Sequence, residues 1–312
     1  MRTLTKLFLG SALLLNGVIA MAHSDGAYDH SDFFKGMDKN DKAAIMMVHF
    51  GTTFDDTRAL TIDRINEKVA KKFKNADVKE AYTSRIIMRR LKARGIEKPN
   101  PQEVLDQLKA QGYTHVLVQG TNIMNGTENE NLNKEIEKYS KNFKDIRVGN
   151  PLLTSPEDYK EVAKAIAKKI GPLKPHQGVV LVGHGTEHSG GSAYAAMDYV
   201  FNAEGLGNYV VGTVEGYPEF DDVVNQLKKK GIKDVILMPF MFVAGDHANN
   251  DIAGEWNEDL QKAGFTVSKV IIAGLGQNED IQDIYLKHID FITHHKAVDM
   301  AAKKVHYSTE KD

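Results

Sequence analysis

The sequence contains no cysteine among its 312 residues. This absence excludes structural disulfides, metal sites built from thiolates and a catalytic thiol. It also excludes a lipid anchor attached to a cysteine near the amino terminus. Any bound metal must therefore be held by histidine, aspartate, glutamate or water. Such ligands suit Co²⁺, Ni²⁺, Zn²⁺ or Fe²⁺ better than Cu(I).

The chain also lacks a strong excess of charge of either sign. Its formal net charge is −2 and the signs alternate along the sequence, which gives no reason to expect a nucleic-acid partner. One apolar stretch, residues 7–20, is too short to span a bilayer as a permanent anchor. No later stretch resembles a membrane helix, so we expect a protein without a membrane anchor.

The first residues have the features of an export signal. Arg2 and Lys6 precede the apolar stretch, and Ala20-Met21-Ala22 supplies the small-x-small pattern that signal peptidase prefers. We predict that residues 1–22 are a signal peptide cleaved after Ala22, which places the protein in the periplasm or elsewhere outside the cytoplasm. Residues 23–41 are polar and aperiodic, and we predict a flexible leader there.

Short apolar runs alternate with helical patterns through the rest of the chain, as expected for parallel sheets covered on both faces. Each run ends at a turn, as a buried parallel strand does. The runs in the first half are residues 44–48, 114–118 and 145–148. Those in the second half are residues 178–182, 210–214, 234–238 and 267–272.

The two halves resemble each other, which indicates an internal duplication. MVHFGTTF in the first half resembles LVGHGTEH in the second, and QGYTHVLVQGTNIMNGTE resembles KGIKDVILMPFMFVAGDH. We predict two Rossmann-like α/β domains, each with a four-stranded parallel sheet flanked by helices. The first would span residues 42–154, and the second, with a C-terminal helix and tail, residues 155–312. Because ligands bind at the carboxyl ends of such strands, we expect the active site in the cleft between the domains.

Three successive strands of the second half each end in a residue that can bind a metal. These residues are His184, Glu215 and His247. Adjacent parallel strands lie about 5 Å apart, so the three side chains can converge on one ion. Two imidazoles and one carboxylate leave coordination positions open, which suits a divalent metal that is exchanged. Each residue alone is more often a hydrogen-bonded loop residue, and the interpretation depends on all three together.

The internal repeat strengthens this interpretation, because the first half carries mostly residues that do not bind metals at the matching positions. An alignment of the halves by eye pairs Phe50 with His184, Tyr82 with Glu215 and Glu128 with His247. A purely structural requirement gives no reason for the two halves to differ in this way.

Several motifs resemble the anaerobic, CbiK-type cobaltochelatases, which insert Co²⁺ into sirohydrochlorin during cobalamin biosynthesis. The matching segments are VHFGTTFDDT, AYTSRIIMRRLKARG, GNPLLTSPEDY, VLVGHGTEH, VEGYPEFDDVV, LMPFMFVAGDHANNDIAG and GLGQN. The resemblance implies a metal chelatase, an exported member of the family, with a tetrapyrrole substrate and Co²⁺ as the substrate metal. It also implies that His184, Glu215 and His247 bind the metal, which is the set that the strand ends indicate.

Two positions depart from the family pattern. Asn122 stands where many relatives have histidine, and His49 stands where they often have serine. The departures leave two other functions open: an exported haem-binding protein or haem dechelatase that releases iron, and a tetrapyrrole or metal carrier without turnover. The sequence also leaves open whether the protein forms a homo-oligomer.

The expected reaction predicts further roles for individual residues. Metal insertion removes two pyrrole protons, and a neutral imidazole can accept one near neutral pH, so we predict His184 as the first candidate base and His247 as the second. Sirohydrochlorin carries many carboxylates, which arginine recognises well. We predict that substrate-binding residues are Ser84, Arg85, Arg89, Asn122 and His49.

Overall fold

The computed structural model describes residues 27–245, 248–299 and 304. The predicted signal peptide and His247 lie outside the described residues. Strand β1 (Tyr28–His30) pairs antiparallel with β10 (His295–Ala297) in a small sheet. The other strands form two four-stranded parallel sheets flanked by helices, so the predicted fold class is confirmed.

The two parallel sheets have the same strand order. The strands of the first are β2 (Ala43–His49), β3 (Asp77–Tyr82), β4 (His115–Gly120) and β5 (Asp145–Val148). Those of the second are β6 (Gln177–Gly185), β7 (Tyr209–Glu215), β8 (Asp234–Pro239) and β9 (Thr266–Val270). The orders are β3-β2-β4-β5 and β7-β6-β8-β9. The identical order supports the predicted duplication.

The strand β3 has no apolar run in its sequence, DVKEAY, and the hydrophobic pattern did not predict it. It lies at the edge of the first sheet, where only its last two residues, Ala81 and Tyr82, are buried. An edge strand is half-solvated, so it needs neither a continuous apolar run nor a regular alternation.

Helices cover both faces of each sheet. In the first half they are α1 (Asp55–Arg58), α2 (Arg64–Lys72), α3 (Arg85–Lys92), α4 (Pro101–Ala110) and α5 (Thr127–Glu137). In the second half they are α6 (Pro156–Ile170), α7 (Ser192–Ala203), α8 (Phe220–Lys229), α9 (Asn257–Lys262) and α10 (Glu279–His294). A π-helical turn at Ala59–Asp63 joins α1 to α2, and another at Ala248–Trp256 precedes α9. Among the described helices, none combines the length and hydropathy needed to span a bilayer.

Alternate residues of the central strands enter different hydrophobic cores, because successive side chains of a strand point to opposite faces. Ile45 and Met47 of β2 belong to the same core as Val179 and Leu181 of β6. The intervening residues of β2 pack with α4 and α5, and those of β6 pack with α8 and Trp256. The inner faces of the two sheets therefore share one core, while each outer face has its own.

The C-terminal helix α10 packs against the first sheet, although it follows the second in sequence. Ile281, Tyr285 and Ile289 are buried in the shared core. The hydroxyl of Tyr285 donates to the carbonyl oxygens of Thr121 and Asn122, at 3.1 Å each. The predicted boundary between residues 42–154 and 155–312 divides the chain, but it does not divide the core.

Part of the predicted flexible leader, residues 23–41, packs on the folded body. Phe33 is 1% exposed, and β1 pairs with the strand that follows α10. The guanidinium of Arg147 donates to the carbonyl oxygens of Ser31 and Ile292, at 2.6 and 2.9 Å. A buried arginine from a distant strand therefore holds this polar stretch in place, and composition alone does not predict such a contact.

A buried ion pair connects α10 to the beginning of α6. His288 Nε2 lies 2.9 Å from Asp158 Oδ1, and His288 Nδ1 lies 3.1 Å from the carbonyl oxygen of Asn150. Both contacts are satisfied when both ring nitrogens carry hydrogen. Burial raises the pKa of Asp158, but the hydrogen bond and charge of His288, together with bonds from Ser155, outweigh burial and lower it. The pair stabilises the fold where the carboxylate is ionised.

Replacement of Asp158 by asparagine is expected to lower the free energy of unfolding by about 2 kcal/mol at neutral pH, because a hydrogen bond to a charged group is lost. The folded-state pKa of Asp158 is lowered, so its stabilisation is present above the ordinary carboxyl pKa and is lost as the pH falls through the folded value. Urea unfolding should show the deficit of D158N shrinking in acid. The control D290N, on the exposed side of α10, should stay close to wild type. A deficit independent of pH would contradict the ion pair.

Candidate active site in the cleft

A cavity of about 770 Å³ lies where the carboxyl ends of the two sheets meet. Loops after β2, β3 and β4 contribute to its wall from the first half, and loops after β6, β7 and β8 contribute from the second. Of the predicted site residues that the structure describes, those lining the cavity are His49, Ser84, Asn122, His184 and Glu215. The predicted position of the active site and the position of this cavity agree.

His184 and Glu215 stand on neighbouring strands at the cavity. His184 is the penultimate residue of β6, Glu215 is the last residue of β7, and both are exposed. The strands pair in parallel, with Gly185 opposite Glu215. His184 Nδ1 lies 3.2 Å from the carbonyl oxygen of Gly185. In the neutral tautomer that satisfies this contact, Nδ1 carries the hydrogen and Nε2 keeps its lone pair, as a metal ligand requires.

The close approach of these two strand ends depends on Gly185. Its φ is +88°, and a Cβ atom there would lie 1.4 Å from the carbonyl oxygen of Glu215. The turn after β7 is equally tight, since the backbone N–H and the hydroxyl of Thr213 both donate to the carbonyl of Pro218, at 2.9 and 3.0 Å. The Tyr217–Pro218 peptide bond within this turn is cis. Backbone geometry thus fixes where His184 and Glu215 enter the cavity.

The third predicted ligand, His247, lies outside the described residues. Among those that the structure does describe, no three His, Asp or Glu side chains are placed to hold a metal ion together. The trio of His184, Glu215 and His247 therefore stays a prediction, and only two of its members have a described position.

The strand register allows the two halves to be compared residue by residue. Val48 pairs with Ala81 and Gly120, and Val182 pairs with Gly212 and Pro239. Counting two, three and eight residues onward from these matched positions gives three equivalent pairs. The pairs are Phe50 with His184, Ser84 with Glu215, and Glu128 with His247.

This register corrects one match of the alignment made by eye. Tyr82 pairs with His49 as Thr213 pairs with Gly183, so Tyr82 corresponds to Thr213 rather than to Glu215. Ser84, two residues later, is the counterpart of Glu215. The similar letters of AYTS and VEGY concealed this shift, which hydrogen-bonded pairing reveals directly.

The counterparts of the predicted ligands face the same cavity. Phe50, Ser84 and Glu128 all line it, from the first half, as His184 and Glu215 do from the second. Ser84 is also the N-cap of α3, where its hydroxyl accepts a hydrogen bond from the N–H of Ile87 at 3.4 Å. The duplicated scaffold therefore directs equivalent positions into one cleft from two sides.

His49 lies in the cavity wall but is 1% exposed, and both of its ring nitrogens have partners. Nδ1 lies 3.0 Å from Thr121 Oγ1, and Nε2 lies 3.0 Å from Asn66 Oδ1. The amide nitrogen of Asn66 donates to Glu80, which fixes Oδ1 as an acceptor toward the ring. Nε2 must then carry the hydrogen, and Nδ1 accepts one from Thr121. Burial is the largest influence and lowers the pKa of His49 to about 4.

The basic residues of α3 divide into two groups. Arg90 lines the cavity together with Ile86 and Ile87, whereas Arg85 and Arg89 do not. Residues four apart share a helix face, so Ile86 and Arg90 lie on one face and Arg85 and Arg89 on another. Sequence reasoning considered the basic cluster but selected the other face. The phase of the helix relative to the cleft is a tertiary property that local spacing does not give.

A polar contact joins the two halves beside the cavity. His188 Nε2 lies 3.0 Å from Glu130 Oε2, which connects the loop after β6 to α5. Gly190 follows in the same loop, and a Cβ atom there would lie 2.1 Å from the carbonyl oxygen of Asn125. Sequence analysis did not identify this contact, because neither His188 nor Glu130 stands at a strand end.

Alanine at position 185 is expected to destabilise the protein by about 3 kcal/mol or more, since it adds a steric overlap to an unfavourable φ. Gly231 provides a matched control, because its φ is +67° and a Cβ atom added there would meet nothing within 4 Å. The G231A variant should therefore lose only about 1 kcal/mol. Urea unfolding of both variants measures the difference. Equal losses would show that the Gly185–Glu215 approach is not needed.

His49 is expected to stay neutral, with hydrogen on Nε2, until the pH falls to about 4. Because the unfolded-state pKa is about 6.5, the unfolded chain takes up this proton first, so stability is complete above that value and decreases as the pH falls toward 4. Nitrogen-15 NMR of the imidazole rings measures both tautomer and titration, and H49Q identifies the signal. A midpoint near 6.5 would contradict the buried network.

Comparison with known proteins agrees with these observations. The family model described as Cobalt chelatase (CbiK) matches residues 43–294. A sirohydrochlorin cobaltochelatase of Salmonella typhimurium is 35% identical over 268 residues, which cover 84% of this chain and 99% of that protein. The sirohydrochlorin cobaltochelatase CbiKC of Nitratidesulfovibrio vulgaris is 31% identical over 256 residues, covering 80% of this chain and 89% of that protein.

A solved structure with the same fold is SirB from Bacillus subtilis with Fe³⁺. It superposes with a TM-score of 0.58 at 16% sequence identity, covering 80% of this chain and 94% of that one. The family match covers both parallel sheets and α10, and thus the whole wall of the cavity. The chain belongs to the CbiK family of cobalt chelatases.

Proposed function

We propose that this protein inserts Co²⁺ into sirohydrochlorin. The observation that carries the proposal is the cavity shared by the two halves, with His184 and Glu215 on one side and Phe50 on the other. The relatives from Salmonella typhimurium and Nitratidesulfovibrio vulgaris are named for this reaction, and they match most of the chain. The cavity volume of about 770 Å³ falls in the range of small-molecule sites.

The substrate metal would be held by His184, Glu215 and His247. The first two already stand on adjacent strands at the cavity wall. The register places His247 eight residues beyond Pro239, at the position equivalent to Glu128, which lines the cavity. Three protein ligands leave positions for water and for the incoming pyrrole nitrogens, so the ion can be passed on. The same ligands accept Ni²⁺, Fe²⁺ and Zn²⁺.

The macrocycle would bind with one face toward the metal ligands and the other toward Phe50. Phe50 is 49% exposed although it is a large aromatic residue, and it occupies the position equivalent to His184. An exposed aromatic ring beside a cavity offers a flat apolar surface, on which a tetrapyrrole can stack. One half of the duplication would thus hold the metal and the other the ring system.

Two pyrrole protons must leave as the metal enters. His184 is the first candidate to accept one, because the tautomer set by the Gly185 carbonyl leaves the Nε2 lone pair available for either metal or proton. His247 is the second candidate. His49 does not suit this role, since both of its nitrogens are already hydrogen-bonded and its pKa is lowered to about 4. His49 would instead position Thr121 in the cavity wall.

We further propose that the protein is exported. This rests on Arg2 and Lys6, the apolar stretch at residues 7–20 and the Ala20-Met21-Ala22 pattern. Mass measurement of the protein recovered from the periplasm would test it, with cleavage after Ala22 as the expected result. A full-length protein retained in the cytoplasm would contradict it.

The reaction can be tested with purified protein, sirohydrochlorin and Co²⁺, by following the absorbance change on metallation. H184A, E215Q and H247A are each expected to slow metallation at least tenfold. Loss of a residue that only supports a ligand costs about 10–100-fold at metal sites, and loss of a direct ligand should cost no less. H294A is the control, because His294 is exposed at the end of α10 and does not line the cavity.

The outcomes separate the parts of the proposal. Metallation by H247A at the wild-type rate would remove the trio from the mechanism while leaving the reaction intact. Tight stoichiometric binding of sirohydrochlorin by the wild-type protein, without metallation, would instead contradict the proposed reaction and favour a carrier.

A further inference from the structure

We infer that Arg90 binds a carboxylate at the edge of the macrocycle and so selects carboxylate-rich tetrapyrroles. The inference rests on the proposed function, which supplies the class of ligand. Arg90 lies near the end of α3, is exposed, and lines the cavity on the same side as Phe50. Its role is distinct from that of the predicted metal ligands, which enter from the second half.

The charges of the cavity wall are unequally distributed. Among the lining residues that the structure describes, Arg90 is the only arginine or lysine, whereas Glu128, Glu187 and Glu215 contribute carboxylates. An anionic substrate would meet repulsion from these carboxylates unless its own charged groups lie toward Arg90. The distribution therefore favours an orientation with a substrate carboxylate at α3 and the ring centre toward His184 and Glu215.

Apolar side chains surround Arg90 on the cavity side. Phe50, Phe54 and Ile86 line the cavity and are 49, 38 and 55% exposed, so three large apolar groups face the space beside one guanidinium. A tetrapyrrole has this combination of surfaces, with apolar faces and carboxylates at the edge. A small inorganic anion or a free divalent cation would leave the apolar groups without a partner.

The wall that carries these groups is held together by α3. Arg94, one turn after Arg90, donates to the carbonyl oxygen of Thr53 at 2.5 Å and forms an ion pair with Asp55. At the other end of the helix, the N–H of Ser84 donates to the carbonyl of Phe50 at 3.2 Å. The aromatic loop and the arginine-bearing helix are thus connected at two points. A connected wall fixes the distance between the stacking surface and the cation.

The guanidinium suits this task better than an ammonium group would. Its planar fork binds both oxygens of a carboxylate and stays charged at any physiological pH, and it is weakly hydrated beside apolar surfaces. The preference should therefore fall in the order arginine, lysine, alanine at position 90. Selectivity should follow the number of carboxylates on the ring rather than the size of the ring.

The experiment measures binding without metal or turnover, by fluorescence titration of full-length protein with two porphyrins. Uroporphyrin carries carboxylates on every pyrrole ring, whereas mesoporphyrin carries alkyl groups around much of its edge. R90A is expected to weaken uroporphyrin binding about tenfold, the effect of losing a charged hydrogen bond, and to change mesoporphyrin binding much less. R90K should give an intermediate value.

R89A is the matched control, because Arg89 lies on the same helix, is exposed, and does not line the cavity. It removes the same charge and should bind uroporphyrin within about twofold of wild type, since an exposed charge outside the site contributes little. Thermal unfolding of all variants checks that they fold. In metallation assays, R90A should raise KM for sirohydrochlorin while kcat stays near wild type.

The results distinguish this inference from the proposed function. Equal uroporphyrin affinities for R90A, R89A and wild type would overturn the role of Arg90 and leave the chelatase proposal standing. Equal weakening by R90A and R89A would also overturn it, because the effect would then be one of general charge. If the wild-type protein bound neither porphyrin nor sirohydrochlorin, the proposed function itself would fail.

Discussion

The burial of the inner faces of both sheets in one core is the constraint on which the rest of the structure depends. Ile45 of β2 and Val179 of β6 lie in the same apolar cluster, and α10 returns from the second half to complete it. Burial of this kind is non-directional, yet here it aligns the carboxyl ends of two similar sheets on one cavity. The positions of the ligand side chains follow from that alignment.

Duplication of a sheet gives equivalent positions that can diverge without altering the scaffold. The pairs Phe50 and His184, and Ser84 and Glu215, share a place in the register but differ in chemistry. One side of the cleft offers apolar and cap-forming residues, and the other offers nitrogen and oxygen ligands. A reaction that joins an apolar ring to a cation needs both surfaces, and divergence within a duplicated fold supplies them at matched positions.

Much of this could be predicted from sequence, because buried parallel strands have continuous apolar runs and functional residues follow their carboxyl ends. The two-sheet fold, the cleft and the places of His184 and Glu215 came from that signal. The edge strand β3 had no such run, and the match of Tyr82 to Glu215 failed because pairing register is not visible in letters. Arg90 was passed over for Arg85 and Arg89, since the direction in which a helix face points depends on tertiary packing.

The contact between His188 and Glu130 has a consequence for how a ligand is exchanged. It joins loops from opposite sides of the cleft, close to residues that line the cavity. A hinge movement that parted the halves would have to break this contact and also expose the shared core, and the second cost is large. A flat ligand should therefore slide in edge first between fixed walls, and the ligand-free and occupied forms should differ chiefly in side-chain rotamers.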